Sequence, residues 1–221
     1  LAAGTDYPCN DHEPLGTLLT YVQVKDKPLS YMDWVKGIKD GKTVVSRKGH
    51  SEFLNMIVNG QYRPGDVVKL KNKGTVDVDV TWTAVTESSG TIELVKNGMV
   101  VASHVGAVKP GVPVQFKTQI PFTSSGWVCA RRMDGTGHVT HTAPIYVSVN
   151  NKPIRASADD AQYFVAWIDN ILKNIGSGGP WNKYFTKDQE LVRQRYVKAR
   201  EIYEVIAREA SAINPVPPQR R

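Results

Sequence analysis

The sequence has few of the features that define several large protein classes. Its only two cysteines, Cys9 and Cys129, are too few for a disulfide scaffold. No apolar run approaches the roughly 20 residues that a membrane-spanning helix needs, so we expect no membrane partner. Motifs for a phosphate-binding loop, a dinucleotide site, a serine nucleophile elbow and an HExxH zinc site are all absent. The chain therefore lacks a complete catalytic motif of these kinds.

The composition is that of a folded protein with a basic surface. Hydrophobic residues make up 41% of the chain and charged residues 22%, which excludes a disordered polyelectrolyte. The net charge of +7 is spread along the chain and interleaved with acidic residues, so we expect a solvated basic surface and no nucleic-acid partner. The chain begins at Leu1 without a signal-peptide pattern. We expect it to be part of a longer protein, whose localisation the sequence leaves open.

The middle of the chain has the periodicity of β-strands. Short runs with alternating apolar residues follow one another from Lys42 to Val149, and no helical pattern separates them. The run Thr75–Val85 alternates valines with polar residues, and Asn97-Gly98 marks a tight hairpin turn. We therefore predict an antiparallel β-sandwich domain at 42–150.

Helical patterns flank this domain on both sides. In the region 1–41, Ser30 is placed to cap a short helix that ends near Gly41. In the region 151–221, Ser157 caps one amphipathic helix, and Thr186 with Gln189 opens a second. The predicted fold class is mainly β with α: an antiparallel β-sandwich followed by a C-terminal pair of α-helices, packed as a hairpin on the rest.

Asp6 is the first residue that could carry chemistry. It follows Gly4-Thr5 at the end of what could be a strand, where a carboxylate metal ligand often sits in α/β barrels. The alternative is a turn aspartate that accepts backbone N–H bonds. Spacing alone favours this alternative.

A second cluster surrounds the Gly-rich loop Asp134–Gly137. Arg131 precedes the loop, His138 and His141 follow it, and a hairpin would bring them to one rim suited to an anion. Because Trp127 and Cys129 share the face of Arg131 and look buried, we expect that guanidinium to need a partner.

Other interpretations of the cluster stay open. Arg131 or Arg132 could instead pair with a nearby acid while His141 bonds to the backbone. Cys129 is interpreted as a small buried hydrophobic residue; as a catalytic thiol it would need a positioned histidine base.

These segments together resemble the end of a CehA/McbA-type metallohydrolase of the polymerase and histidinol phosphatase (PHP) superfamily. The resemblance runs along nearly the whole chain. It is carried by Ala3–Asp6 with Leu15-Gly16, Tyr31–Trp34 through Gly41–Thr43, Val58–Gly60 with Pro64–Asp66, Ile92–Val95 with Asn97-Gly98, and Gly126–Arg131 with His141–Tyr146. Ser46–His50 departs from the Thr-Asn-Gly-Pro that is usual in the family.

The resemblance implies a parent enzyme whose barrel binds divalent metal, with almost all ligands upstream of Leu1. Region 1–41 would be the tail end of that barrel plus a linking helix. Only Asp6 matches a metal-ligand position, and Tyr7 stands where the family often has histidine, His12 being the nearest. A lone carboxylate cannot hold a catalytic metal, so we expect this chain to be inactive and to hold no cofactor.

In this interpretation the chain is an accessory domain that shapes the substrate cleft or an oligomer contact. Its partners are its own N-terminal barrel and, as a further candidate, a second copy of itself. Arg131, His141 and His138 are the candidates that face the cleft. The alternative is a free-standing carbohydrate-type binding module with Trp82, Trp127 and Tyr146 exposed, although Trp82 on an alternating strand is expected in the core. A purely structural interaction domain is the third interpretation.

Overall fold

The computed structural model describes residues 1–4, 14–24, 28–185 and 187–213. The chain divides into two compact units, 1–154 and 155–221. The described part of the first unit contains β1 (Leu19–Val22), α1 (Tyr31–Lys39), β2 (Thr43–Ser46), β3 (Glu52–Val58), β4 (Val67–Leu70), β5 (Gly74–Ala84), β6 (Ser88–Lys96), β7 (Met99–Val108), β8 (Val114–Phe122), β9 (Gly126–Asp134), β10 (Gly137–Thr142) and β11 (Ile145–Val149). The described part of the second unit contains α2 (Ala158–Ile175), a short 3-10 helix (Asn182–Tyr184) and α3 (Gln189–Ile213).

The strands form two sheets. The smaller sheet has the order β3-β5-β8 and is antiparallel throughout. In the larger sheet, one edge of β9 pairs with β6, which in turn pairs with β7. The other edge of β9 pairs with β11 along residues 126–128 and with β10 along residues 131–134. β2 and β1 continue the sheet beyond β10, and β4 joins β11 in a parallel pair, whereas the other pairs are antiparallel.

The core lies between these sheets and confirms the predicted sandwich. Alternate residues of each sheet point inwards, as half-buried strands require. Fully enclosed side chains that meet in this core include Leu54, Met56, Val76, Val80, Trp82, Ile92, Leu94, Phe122, Val128 and Ile145. Trp82 is 0% exposed, as expected for a core residue, so it cannot serve as a surface platform for a ligand.

Local turn and cap signals have the predicted geometry. Asn97 and Gly98 have φ values of 50° and 87°, the left-handed pair of a type I′ hairpin. The Ser30 hydroxyl accepts from the Asp33 backbone N–H at 3.1 Å, and the Ser157 hydroxyl accepts from that of Asp160 at 3.0 Å. Both helix N-termini are therefore closed by their own serine caps.

Some boundaries differ from those that the sequence suggests. The hairpin around Asp134–Gly137 requires a strand after the loop, but the bounds of β10 are not evident from the sequence, because its polar residues and a register shift between His138 and Thr140 break the alternation. Strand β11 begins at Ile145, directly after Pro144. Thr186, predicted to open the last helix, lies outside the described residues.

The second unit is a pair of helices joined through aromatic and charged contacts. The ring of Phe164 on α2 stacks on Tyr203 of α3, with centroids 5.0 Å apart. Nε of Arg200 donates to Asp169 at 2.6 Å across the same pair. None of the described helices has an apolar stretch long enough to span a bilayer.

Candidate functional site

The Gly-rich loop after Arg131 joins two antiparallel strands. Strands β9 and β10 form the predicted hairpin, in which Asp134 lies opposite Gly137 and Arg131 opposite His141. Directly opposed residues of a hairpin project to the same side of the sheet. The arginine and the histidine that sequence reasoning selected are therefore cross-strand neighbours.

Asp134 orders the loop. Its carboxylate accepts from the Thr136 backbone N–H at 2.8 Å, from the Thr136 hydroxyl at 2.6 Å and from Lys48 Nζ at 3.1 Å. The Thr136 hydrogen bonds, supported by Lys48, hold the pKa of Asp134 well below its usual range. The loop is thus tied both to itself and to the chain that follows β2.

Arg131 has a carboxylate partner on the neighbouring strand. Its Nε donates to Glu93 Oε2 at 2.7 Å, and Glu93 lies directly opposite Arg131 in the β6–β9 pair. Glu93, Arg131 and His141 therefore form one line across three strands, which we call the outer polar row. Arg131 is 32% exposed, and its two Nη nitrogens make no hydrogen bond with the described residues.

The outer polar row lies on the face of the larger sheet that is turned away from the sandwich core. Val128, Ala130 and Arg132 face the core, so Arg131 and Cys129 project from the opposite side. The alternation agrees with the predicted sharing of a face by Trp127, Cys129 and Arg131, and Arg131 has an acid of this chain as the partner that it was expected to need. Apolar residues occupy both faces of β9, and Arg132 is the arginine that enters the core.

A neighbouring backbone carbonyl holds the His141 ring in one orientation. Its Nδ1 lies 2.7 Å from the carbonyl oxygen of Thr142, which can only accept, so Nδ1 carries a proton in this contact. Nε2 faces the Cys129 sulfur at 3.9 Å. Burial lowers the pKa of His141, the charges of His138 and Arg131 lower it further, and the Thr142 bond opposes them.

Cys129 is an unreactive partner in this contact. Its side chain is buried, and burial raises its pKa to about 12, against the small opposing effect of Arg131. A thiol with that pKa is protonated at neutral pH and is a weak nucleophile. The proximity of His141 therefore does not make Cys129 an activated thiol.

His138 lies at the outer end of the hairpin. It is exposed, and its ring meets the His141 ring edge to face at a centroid distance of 6.1 Å. Of the three cleft-facing candidates, Arg131 and His141 are thus half-buried and ordered, while His138 is open to solvent.

Arg132 belongs to a buried polar cluster in the sandwich. It is fully buried, its Nε donates to Glu52 Oε2 at 2.7 Å, and its Nη2 donates both to Glu52 Oε1 and to the Ser88 hydroxyl. Trp82 donates its indole N–H to the same carboxylate at 3.0 Å, and its ring lies 4.9 Å from the guanidinium carbon. Arg131 and Arg132 each pair with an acid, which is the alternative that the sequence left open for either of them.

Sequence reasoning missed Glu52, although a signal was present. Glu52 lies on the same face of β3 as Leu54, Met56 and Val58, because alternate residues of a strand share a face. Its carboxylate therefore points towards the core. A buried carboxylate requires a cation or several donors. The pattern could therefore have identified Glu52 as a residue that needs a distant arginine.

Asp6 lies outside the described residues. The segment before it is described and is bonded to the larger sheet: the Ala3 N–H donates to the Thr20 hydroxyl at 2.9 Å, and the Thr43 hydroxyl donates to the Leu1 carbonyl at 2.7 Å. Residues 1–4, which precede Asp6 in the sequence, are therefore hydrogen-bonded to strands β1 and β2.

The described residues do not form a ligand set for a metal ion. Three or more His, Cys, Asp or Glu side chains do not converge anywhere among them. His141 with Cys129 supplies two neighbouring donors, and the nearest charged groups of the outer polar row already pair with each other.

Comparisons with known proteins find matches to solved structures with low TM-scores. No protein-family model matches the chain, and no curated protein matches it. The solution structure of the CARDB domain of a Pyrococcus furiosus protein is 15% identical over 47% of this chain and 99% of that one, with a TM-score of 0.32.

Two further solved structures match about as much of the chain. A crystal structure of the same CARDB domain in complex with di-metal ions is 15% identical over 45% of this chain and 94% of that one, with a TM-score of 0.29. A β-glucosidase from Listeria innocua in complex with glucose is 7% identical over 44% of this chain and 16% of that one, with a TM-score of 0.27. These similarities assign no activity.

Proposed function

We propose that this chain is an accessory β-sandwich region of a PHP-type metal-dependent hydrolase and borders the catalytic barrel of that enzyme. The observation that carries the proposal is the attachment of residues 1–4, which lead to Asp6, to the sheet that holds the outer polar row. By the resemblance, Asp6 is the residue that ends the barrel. The attachment of residues 1–4 to this sheet supports a sandwich that lies beside the barrel.

The register of the sheet supports the same geometry. Thr20, which bonds Ala3, lies opposite Val45, and Val45 lies opposite His141. Directly opposed residues share a face, and neighbouring strands are about 4.8 Å apart. Thr20 is therefore two strands, or roughly 10 Å, from His141 on the same face. The segment that leads to Asp6 starts close to the residues proposed to face the cleft.

The outer polar row has chemistry that suits an anionic substrate. Arg131 is anchored through Nε by Glu93, while its Nη nitrogens remain available for a carboxylate or phosphoryl oxygen. Nε2 of the neutral His141 is an acceptor that faces the Cys129 sulfur at 3.9 Å, so His141 borders the cleft beside Arg131 without donating to the anion. In the proposed enzyme Arg131 binds and orients the substrate, and activation of water belongs to the barrel.

The burial of one aromatic residue weakens the alternative of a carbohydrate-type binding module. It required Trp82, Trp127 and Tyr146 as exposed platforms, and Trp82 is fully buried with its N–H bonded to Glu52.

We also propose that a second copy of the chain remains a candidate partner, which sedimentation of the purified protein would detect.

The first experiment reads the coding sequence directly upstream of the codon for Leu1. The proposal expects an in-frame barrel with an HxH-type pair of metal-binding histidines. A start codon at this point, or a different domain in frame, would overturn it.

The second experiment compares variants in the longer gene product. Arg131→Gln is expected to raise KM for an anionic ester while leaving KM for a neutral ester of the same alcohol within twofold. Arg47→Gln, at an exposed arginine just after β2, is the matched control and should change neither value. Equal effects of Arg131→Gln on both esters would exclude a substrate-binding role.

A further inference from the structure

A cavity of about 300 Å³ opens between β1 and β2 of the larger sheet and β3 of the smaller sheet. Its described lining has an apolar part, formed mainly by Val22, Val44, Phe53 and Pro64. Lys42 and Arg63 lie at its border with a second, more polar cavity of about 400 Å³. Small-molecule sites combine apolar walls with a few polar groups in this way, and the volume lies at the lower end of their range.

Arg63 is the unusual group of this cavity. It is half-buried, and its guanidinium makes one hydrogen bond to the described residues, from Nη1 to the neutral amide oxygen of Asn55 at 3.3 Å. The other arginines in the described part of the chain that are not exposed, Arg131, Arg132, Arg155 and Arg200, each have a carboxylate within ion-pair distance. Arg63 has none among the described residues.

The carboxylate that bonds the backbone of Arg63 is already committed to other donors. Asp66 accepts the backbone N–H of Arg63 at 2.7 Å through Oδ2 and pairs with Lys42 Nζ through Oδ1. Lys42 thereby has a carboxylate partner, and Arg63 is the charged group in the described lining of the 300 Å³ cavity that has none. A half-buried guanidinium with one neutral acceptor is incompletely satisfied, since it carries five N–H donors in a planar fork.

We propose that this cavity binds a small organic acid, with the carboxylate on Arg63 and an apolar body against Phe53, Val44 and Pro64. The planar fork of Arg63 fits a carboxylate through two parallel hydrogen bonds. A single arginine without a carboxylate partner among the described residues matches a monoanion better than a dianionic phosphate. The site is separate from the outer polar row and does not depend on the function proposed above.

Titration of the full chain with sodium benzoate, followed by calorimetry, tests the proposal. We expect saturable binding of benzoate and at least tenfold weaker binding of benzamide, its neutral isostere. Phenyl phosphate should bind more weakly than benzoate. Absence of saturable benzoate binding, or equal binding of benzoate and benzamide, would overturn the site, and tighter binding of phenyl phosphate would overturn its assignment to carboxylates.

Variants separate the role of Arg63 from general charge. Arg63→Gln should weaken benzoate binding at least tenfold and leave benzamide unchanged, whereas Arg63→Lys, which keeps the charge without the fork, should give an intermediate loss. Arg47→Gln removes an exposed arginine of the same unit and should stay within twofold of wild type. Wild-type benzoate affinity in a folded Arg63→Gln protein, judged by its circular dichroism, would contradict the proposal. If Arg63→Gln does not fold, wild-type affinity in Arg63→Lys would contradict it equally.

Discussion

Arg132 and Glu52 form a two-bonded ion pair in the interior of the sandwich, 80 positions apart in the chain. Arg132 is 0% exposed and Glu52 is 4% exposed. Their strands, β9 and β3, belong to different sheets, so the pair links the two layers through charge. Trp82 and Ser88 add hydrogen bonds to the Glu52 carboxylate. Such a pair is sensitive to the loss of one partner, because the remaining charge stays buried.

Replacing one member of this pair should destabilise the fold strongly. We expect Arg132→Met to lower the free energy of unfolding by about 3–5 kcal/mol, since it leaves the Glu52 carboxylate buried without a cation. The double variant Arg132→Met with Glu52→Leu should recover part of this loss because it removes both charges. Urea unfolding of the single and double variants measures both effects.

Arg131→Met is the matched control for this comparison. Arg131 lies one position away and also has a carboxylate partner, but it is 32% exposed and its charge remains partly hydrated. A half-exposed ion pair contributes about 1 kcal/mol or less. Equal losses of stability at positions 131 and 132 would show that burial of the pair does not determine its importance.

Cys129 should be unreactive towards thiol reagents in the folded protein. With a pKa of about 12, only about one molecule in ten thousand carries the thiolate at pH 8, and the side chain is buried. In a Cys9→Ser variant, where Cys129 is the remaining thiol, we expect a disulfide reagent to react only as fast as the protein unfolds. Rapid labelling of the native protein, without a lag and without denaturant, would contradict the burial of this thiol.

His141 should make the fold less stable in mild acid. Burial lowers its pKa in the folded state, so the unfolded chain binds a proton at a pH where the folded chain does not. Its contribution is present above the usual histidine pKa of about 6.5 and is lost as the pH falls below that value towards the lowered folded pKa. Urea unfolding at pH 7 and pH 5 should show a smaller loss of stability for His141→Gln than for wild type. An identical loss in both proteins would argue against this linkage.

Features that depend on neighbouring residues could be predicted from the sequence. Ser30 and Ser157 cap their helices through backbone groups three residues away, and Asn97-Gly98 needs only its own φ values to form the turn. The sandwich itself followed from the spacing of alternating strands. These interactions are short-range, so a local pattern contains the required information.

The pairing of the charged residues could not be predicted in the same way. Arg131 and Glu93 are 38 positions apart, and Arg132 is still further from Glu52, so their meeting depends on the order of strands in the sheets. Alternation also failed to identify the inner face of β9, because Cys129 and Val128 are both small and apolar. The choice between the two faces is made by packing of β9 against the second sheet, which a single strand does not encode.

The contact between Phe164 and Tyr203 should contribute measurably to the stability of the helical pair. Full burial would predict a loss of about 3–5 kcal/mol for Phe164→Ala, but this ring is half-buried, so we expect roughly 2 kcal/mol. The expected loss reflects the stacking of its ring on Tyr203, with planes inclined by 21°. Urea unfolding followed by the circular dichroism signal of the helices measures this loss.

Ile202→Ala is the control because its side chain is 53% exposed, and it should change stability by less than about 0.5 kcal/mol. A loss below about 0.5 kcal/mol for Phe164→Ala as well would mean that the stacked rings do not hold α2 and α3 together.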